Sequence, residues 1–227
     1  MPPSNDNDQK LPPIDDRTTS LVQIAAAIAG ADEQMTRTVM ERAVGRADPV
    51  AVDEVILQSY LFAGFPRTLN AARTWRAVSG KDAPESDPSA ELANGSNWVA
   101  NGEETCRIVY GESYELLREN IRSLHPALDS WMITDGYGKV LSRPGLDLKT
   151  RELCIVAACA ASGQQRQLHS HLHGALNSGA KVEEISAALD ALESLVDRKQ
   201  LDRYQTLLSR VATKRHPPAS AEAANVR

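Results

Sequence analysis

The sequence predicts an all-α protein built from two related helical halves. Alanine and leucine supply most of its apolar residues, and β-branched runs are few, a composition that favours helix over strand. Apolar residues recur at spacings of three and four in several segments, which is the period of an amphipathic helix. The first and the second half of the chain also share a pattern of apolar residues. With 227 residues, the chain is long enough for a sizeable hydrophobic core.

Polar and proline-rich stretches divide the chain. The segment from about Gly80 to Glu104 combines prolines, glycines and acidic residues, so it is predicted to connect two halves rather than to form an element. Both ends lack periodicity. The predicted division is a flexible tail at 1–16, a first half at 17–80, a linker at 81–108, a second half at 109–214 and a flexible tail at 215–227.

Helix signals are clearest in the second half. Asp147 offers an N-cap for a helix whose Leu153–Ala161 run is apolar all round, as expected for a central buried helix. Gly179 occupies the position of a C-cap glycine. Two further amphipathic faces are marked by Tyr110, Tyr114, Leu117, Ile121 and Leu124, and by Val182, Ile185, Leu189 and Leu192.

An internal duplication is predicted from the pattern of the two halves. When Ser20 is aligned with Glu152, one buried helix falls on another. The following segments then stay in step, and the amphipathic helices that start near Val52 and Ile185 correspond. The alignment could shift by a residue or two. We interpret it as a repeated unit of three helices.

Charge and composition exclude several classes of protein. A net charge of −5 argues against a nucleic-acid partner, which calls for a basic face. The longest apolar run is far shorter than the roughly 20 residues of a membrane span, so no membrane partner is expected. The first residues lack the pattern of a signal peptide. Three cysteines without framework spacing suit a reducing compartment, and we expect a cytoplasmic protein.

A series of short motifs indicates a family. Thr150-Arg-Glu-Leu begins the apolar helix, His171-Leu-His-Gly-Ala-Leu follows a short turn, and Gly179-Ala-Lys-Val-Glu-Glu-Ile begins the next helix. In their order and spacing these motifs resemble the carboxymuconolactone decarboxylase family, and the resemblance covers about residues 17–80 and 110–195. It implies an alkyl hydroperoxidase D-like helical bundle that assembles into homo-oligomers, trimers or hexamers.

The peroxidase branch of that family uses Glu, Cys-x-x-Cys and a histidine four residues after the second cysteine. On this sequence the resemblance places the glutamate at Glu152 and the histidine at His171, but the two cysteine positions hold Gln164 and Gln167. An amide cannot attack a peroxide, so the peroxidase reaction is disfavoured. Cys154 and Cys159 are interpreted as small core residues.

Glu152 and His171, the two residues of this set that the sequence retains, fit the cofactor-independent decarboxylase branch, for which no cofactor is expected. We cast His171 as general acid or enolate donor and Glu152 as its partner, because histidine titrates near neutral pH. Arg151 and Arg166 are weaker candidates for anchoring a substrate carboxylate. Gln164 and Gln167 complete the predicted substrate-binding residues.

Simpler interpretations stay open for each of these residues. Glu152 could only complement a helix dipole in a first turn, His171 could be a polar surface residue, and Arg151 could be a surface arginine. His169 and His173 share a helix face at metal-ligand spacing, but His171 points the other way, so no metal site is predicted.

The leading hypothesis is a decarboxylase or isomerase acting on a small acidic lactone-type substrate. The alternatives are a peroxidase or disulfide reductase of the alkyl hydroperoxidase D type, and a non-catalytic oligomeric binding scaffold.

Overall fold

The computed structural model describes residues 12–215, and within that range the chain is helical with no strand. The predicted all-α class is confirmed. Of the two predicted tails, residues 1–11 and 216–227 lie outside the described part. The described helices are α1 (Asp16–Gly30), α2 (Glu33–Ala43), α3 (Pro49–Ala63), α4 (Phe65–Ser79), α5 (Gly95–Tyr110), α6 (Tyr114–Leu124), α7 (Pro126–Trp131), α8 (Leu148–Ala161), α9 (Gln165–Asn177), α10 (Val182–Asp190) and α11 (Arg198–Arg215). Short 3₁₀ turns occupy Pro88–Ala90, Leu92–Asn94 and Gly111–Ser113, and a π-helix spans Met132–Leu141.

Local signals fix the helix ends. The Asp15, Asp32 and Asp147 side chains each accept a hydrogen bond from the backbone amide three residues later, which is the N-cap arrangement. The N-cap predicted at Asp147 is therefore confirmed. After α9, Gly179 adopts a φ of 93°, and its amide donates to the Leu176 carbonyl, as its predicted C-cap role requires.

The two halves have the same succession of helices. α1 and α8 begin at residues 16 and 148, and α2 and α9 begin at 33 and 165, so that both pairs are separated by 132 residues. α3 and α10 begin at 49 and 182, and α4 and α11 begin at 65 and 198, a separation of 133. These offsets agree with the predicted duplication and extend its unit from three helices to four.

The predicted linker is wrong in its second part. α5 begins at Gly95 and runs through the rest of the 81–108 segment, packing along the π-helix. Gly102 of α5 lies against the Ile133 carbonyl, and Gly138 of the π-helix lies against the Trp98 backbone, so close that neither position has room for a Cβ. Gly102, one of the glycines of the predicted linker, is therefore a close-packing residue within a helix.

The core is centred on α1 and α8, which pack against each other. α8 also contacts α3, α9 and α10, so every residue from Thr150 to Ala160 is buried. The all-round apolar pattern of Leu153–Ala161 predicted this central position. In the described part of the chain, no helix is both long and apolar enough to cross a membrane.

Candidate active site

Glu152 is a buried carboxylate in the second turn of α8. Its side chain has no exposed surface, because α8 is covered on all sides. A charge in this position needs a partner, since an isolated buried carboxylate carries a large desolvation penalty. The interpretation of Glu152 as a first-turn dipole residue therefore fails, because the residue is neither in the first turn nor near solvent.

His171 supplies that partner from α9. Its Nδ1 lies 2.8 Å from Glu152 Oε2, and only 8% of its side chain is exposed. The surface-residue interpretation of His171 is therefore wrong. Phe62 at the end of α3 packs edge-on against the imidazole, with the ring centroids 5.7 Å apart.

The pairing fixes which nitrogen of His171 is left for chemistry. An ionised Glu152 accepts a hydrogen bond, so Nδ1 carries the proton that faces it. Nε2 is then an acceptor in the neutral ring and a donor in the protonated ring. A histidine oriented by a buried carboxylate is an arrangement that suits general acid–base catalysis.

Gly174 makes room for the carboxylate. It lies on α9 just under one turn after His171, and a Cβ built there would lie 2.5 Å from Glu152 Oε2 and 2.8 Å from Val109 Cγ1. A larger residue would displace one of the two groups. The sequence analysis did not single out Gly174, although a glycine inside a predicted helix was an available signal.

The charge of Glu152 acts on four further ionisable side chains. Burial, reinforced by the Glu152 charge, raises the pKa of the Cys159 thiol to about 12. Burial is likewise the main reason why the pKa of Cys106 rises to about 12, that of Tyr110 rises to about 12, and that of Tyr137 rises well above its usual value. These groups are therefore neutral at physiological pH. Cys154 and Cys159 are buried core residues, as predicted.

Arg151 belongs to a different buried network. Its guanidinium donates to Glu54 Oε2 at 2.7 Å, to Gln58 Oε1 at 3.2 Å and to the carbonyls of Leu146 and Arg143. The side chain is fully buried, so the surface-arginine interpretation is wrong. The structure does not bring Arg151 to the Glu152–His171 pair, and its donors already bind protein groups.

The remaining predicted substrate-binding residues are exposed at the beginning of α9. Gln164, Arg166 and Gln167 all face solvent there. Gln167 precedes His171 by one helical turn, so both residues lie on the same side of α9. The structure therefore places one amide of the predicted set on the face of α9 that carries the histidine.

His169 and His173 lie together on another face of α9, with ring centroids 5.0 Å apart. They line a cleft of about 650 Å³ that Tyr110 and Asn120 also border. Across residues 12–215, no cluster of three or more His, Cys, Asp or Glu side chains has the geometry to hold a metal ion.

Comparisons with known proteins point to one family. Residues 130–199 match the carboxymuconolactone decarboxylase family. "Peroxisomal protein 2" of Schizosaccharomyces pombe is 30% identical over 140 residues, which are 60% of this chain and 63% of that protein. "4-carboxymuconolactone decarboxylase" of Acinetobacter baylyi is 31% identical over 67 residues, which are 30% of this chain and 50% of that protein. The chain thus spans less than two thirds of each relative's length.

The family match coincides with the site. The matched segment begins before the π-helix, ends at the start of α11, and contains both Glu152 and His171. It therefore includes the hydrogen-bonded pair and the two glutamines at the cysteine positions. Residues 130–199 are therefore the part of the chain that is similar to the carboxymuconolactone decarboxylase family.

Proposed function

We propose that this protein is a cofactor-independent decarboxylase or isomerase that acts on a small acidic lactone-type substrate. The observation that carries the proposal is the hydrogen bond of 2.8 Å between His171 Nδ1 and the buried Glu152 carboxylate. The similarity of 67 residues of the chain to a protein described as 4-carboxymuconolactone decarboxylase supports the substrate class.

In the proposed reaction the bond between the lactone ring and its carboxylate breaks and carbon dioxide leaves. The electron pair of that bond passes into the conjugated lactone, which becomes an enolate. Protonated His171 donates its Nε2 proton to the enolate, and solvent returns a proton to the imidazole. Glu152 holds Nδ1–H throughout and stabilises the imidazolium form of the ring.

The substrate carboxylate is assigned to the beginning of α9. Arg166, Gln164 and Gln167 are exposed there, and the amides of a helix N-terminus favour an anion. Arg151 is left out of this proposal, because Glu54 and backbone carbonyls occupy its donors.

The peroxidase alternative lacks its nucleophile. The two cysteine positions of that branch are glutamines on this chain, and each of the three cysteines is buried. Burial raises the pKa of the Cys106 and Cys159 thiols to about 12, which keeps them from forming the attacking thiolate at neutral pH.

The scaffold alternative has one observation in its favour. His171 is 6% exposed and does not border the 650 Å³ cleft on the other face of α9. Phe62, which packs on the imidazole of His171, is half-buried, and Phe65, three residues later, is 62% exposed. We propose that a second copy of the chain covers this apolar surface in a trimer or hexamer, which native mass spectrometry would measure. We also propose a cytoplasmic location.

Three single variants test the role of His171. His171→Asn should lower turnover of a carboxylated lactone by roughly 10²–10⁴, the usual contribution of general acid–base catalysis. His169→Asn and His173→Asn are the matched controls on the same helix and should retain parent turnover. Folding and oligomer size are checked for each variant. Equal activity in all three, with the parent active, would remove His171 from the mechanism and favour the scaffold.

A further inference from the structure

Two adjoining cavities run along α5, and neither is lined by Glu152 or His171. Their volumes are about 370 Å³ and about 270 Å³. Asn101, Ser142 and Arg143 line both cavities, so the two form a single groove between α5 and the end of the π-helix. We call it the α5 groove. Its size is that of a binding site for a small molecule.

Asparagines form the α5 wall of this groove. Asn97 and Asn101 are one helical turn apart and both line the smaller cavity, as does Asn94 just before the helix. Asparagine is a poor helix former that favours caps and turns, so helix stability does not explain two of them on one face of α5. Within the described chain, the Asn97 and Asn101 amides bond to no protein group. Each can therefore donate to and accept from a ligand.

Lys139 brings a positive charge to the same cavity. It belongs to the π-helix, and its ammonium lies 5.1 Å from the centre of the Trp98 ring on α5. No carboxylate of the described residues forms an ion pair with it. Arg143 is the other charged side chain described around this cavity, and it binds the carboxylates of Glu54 and Asp87. Lys139 therefore supplies a charge that no described carboxylate balances, which favours an anion.

The two walls of the groove are fixed against each other. Gly138 of the π-helix meets the backbone of Trp98 so closely that a Cβ has no room, and Gly102 of α5 meets the Ile133 carbonyl in the same way. The backbones that carry Lys139 and the asparagines therefore keep their relative positions, which lowers the entropic cost of binding a ligand between them. A π-helix is also a rare conformation that is often found at functional sites.

We propose that the α5 groove binds a small organic anion. Its carboxylate or phosphate lies at Lys139, which attracts an oxyanion as a compact point charge. Its hydroxyl or carbonyl groups lie at Asn97 and Asn101, whose amides match neutral polar groups. A lone solvated lysine is common on protein surfaces, but here the charge and two amides converge on one cavity. This site does not depend on the reaction proposed for His171.

Isothermal titration calorimetry of the full chain with four polar anions tests the proposal. Gluconate and glucuronate carry a carboxylate, whereas glycerol 3-phosphate and glucose 6-phosphate carry a phosphate, so the two pairs distinguish the two kinds of oxyanion. We expect at least one of the four to bind with a Kd below about 1 mM. Failure of all four to bind would overturn the proposal.

Two simpler ligands separate the contributions of charge and polar body. Glucose lacks the charge and should bind at least about tenfold more weakly than the best anion, the factor for one lost charge-assisted hydrogen bond. Glucose that binds as tightly would overturn the role of Lys139. Inorganic phosphate that binds as tightly as the best anion would overturn the role of Asn97 and Asn101.

Variants then locate the binding site. Lys139→Gln removes the charge and keeps an uncharged side chain of similar length, and it should weaken binding by about tenfold or more. Asn101→Ala should weaken binding by about three- to tenfold, the range for one neutral hydrogen bond. This variant should fold, because alanine is favoured over asparagine in a helix. Equal affinity in Lys139→Gln and the parent would overturn the proposal.

Lys199→Gln and Asn120→Ala are the matched controls. Lys199 is an exposed lysine near the start of α11, and Asn120 is an exposed asparagine of α6 that borders the cleft of about 650 Å³ instead. Both variants should bind the anion like the parent. An equal loss of affinity in Lys199→Gln and Lys139→Gln would mean that binding follows the net charge of the protein rather than the groove, and this result would overturn the proposal.

Discussion

Replacing Gly174 with alanine tests how tightly the Glu152 carboxylate is held between α8 and α9. The added Cβ would lie 2.5 Å from Glu152 Oε2 and 2.8 Å from Val109 Cγ1, both well inside van der Waals contact. Val109 is buried, and Glu152 is held by His171, so neither group moves freely. The variant is expected to push the carboxylate away from the imidazole.

Three free-energy contributions decide the magnitude for Gly174→Ala. Alanine in a helix interior is favoured over glycine by about 1 kcal/mol, which stabilises the variant. Overpacking a well-packed core costs about 1–3 kcal/mol. Losing a hydrogen bond to a charged group costs about 1.5–3 kcal/mol. The steric and hydrogen-bond terms exceed the helix term, so the net destabilisation should be roughly 1.5–5 kcal/mol.

Urea unfolding followed by circular dichroism measures this loss. Gly95→Ala is the matched control, because Gly95 is also helical and the nearest atom to a Cβ there lies 4.0 Å away. It should leave stability unchanged or raise it by up to about 1 kcal/mol. The double variant Gly174→Ala with Glu152→Ala has room for the new methyl group, so the two changes should not be additive. A Gly174→Ala protein as stable as the parent would refute the reasoning.

Two further predictions follow from the burial of ionisable groups. The hydrogen bond from Arg118 holds the pKa of Asp129 below its usual value of 3.8 in spite of burial, so its stabilising contribution is present above that pH and is lost as the pH falls through the lowered value. Asp129→Asn should therefore lower the free energy of unfolding by about 3–5 kcal/mol near neutral pH. In a series of urea unfolding experiments, the difference in unfolding free energy between parent and variant should shrink below pH 4, and a difference that does not change with pH would contradict this prediction. Cys106, Cys154 and Cys159 are buried, so iodoacetamide should modify none of them in the folded protein at pH 8, and peroxide turnover with a dithiol should be negligible. Dithiol-dependent turnover that is lost in Cys159→Ser would contradict their assignment as core residues.

The sequence predicted the features that depend on hydrophobic periodicity and on the spacing of motifs. The all-round apolar run in α8 indicated a central helix, and Asp147 indicated its start, because both are local properties of the chain. The pairing of Glu152 with His171 followed from family spacing, and their side chains are hydrogen-bonded.

Other features depend on tertiary contacts that the sequence does not display. Gly102 was interpreted as part of a linker, whereas its role is the close approach of α5 to the π-helix. Arg151 could not be distinguished from a surface arginine, because its main partner, Glu54, is 97 residues away along the chain. The ring contact between Tyr110 and Tyr137 was not predicted, since it depends on how α5 packs against the π-helix.

The Glu54–Arg151 ion pair bears on how the chain can be divided. Arg143 extends it by bonding both Glu54 and Asp87. Four charges from both halves and from the segment between them thus form one cluster, which is buried except at Asp87, whose side chain is 33% exposed. The family match covers residues 130–199 and includes both arginines but neither carboxylate. If that segment were expressed alone, Arg143 and Arg151 would lose the carboxylates that they bind in the full chain, and the face of α8 that packs on α1 would be exposed to water. We therefore expect that the region matching the family does not fold on its own, because the first half covers α8 and supplies the counter-charge of Arg151.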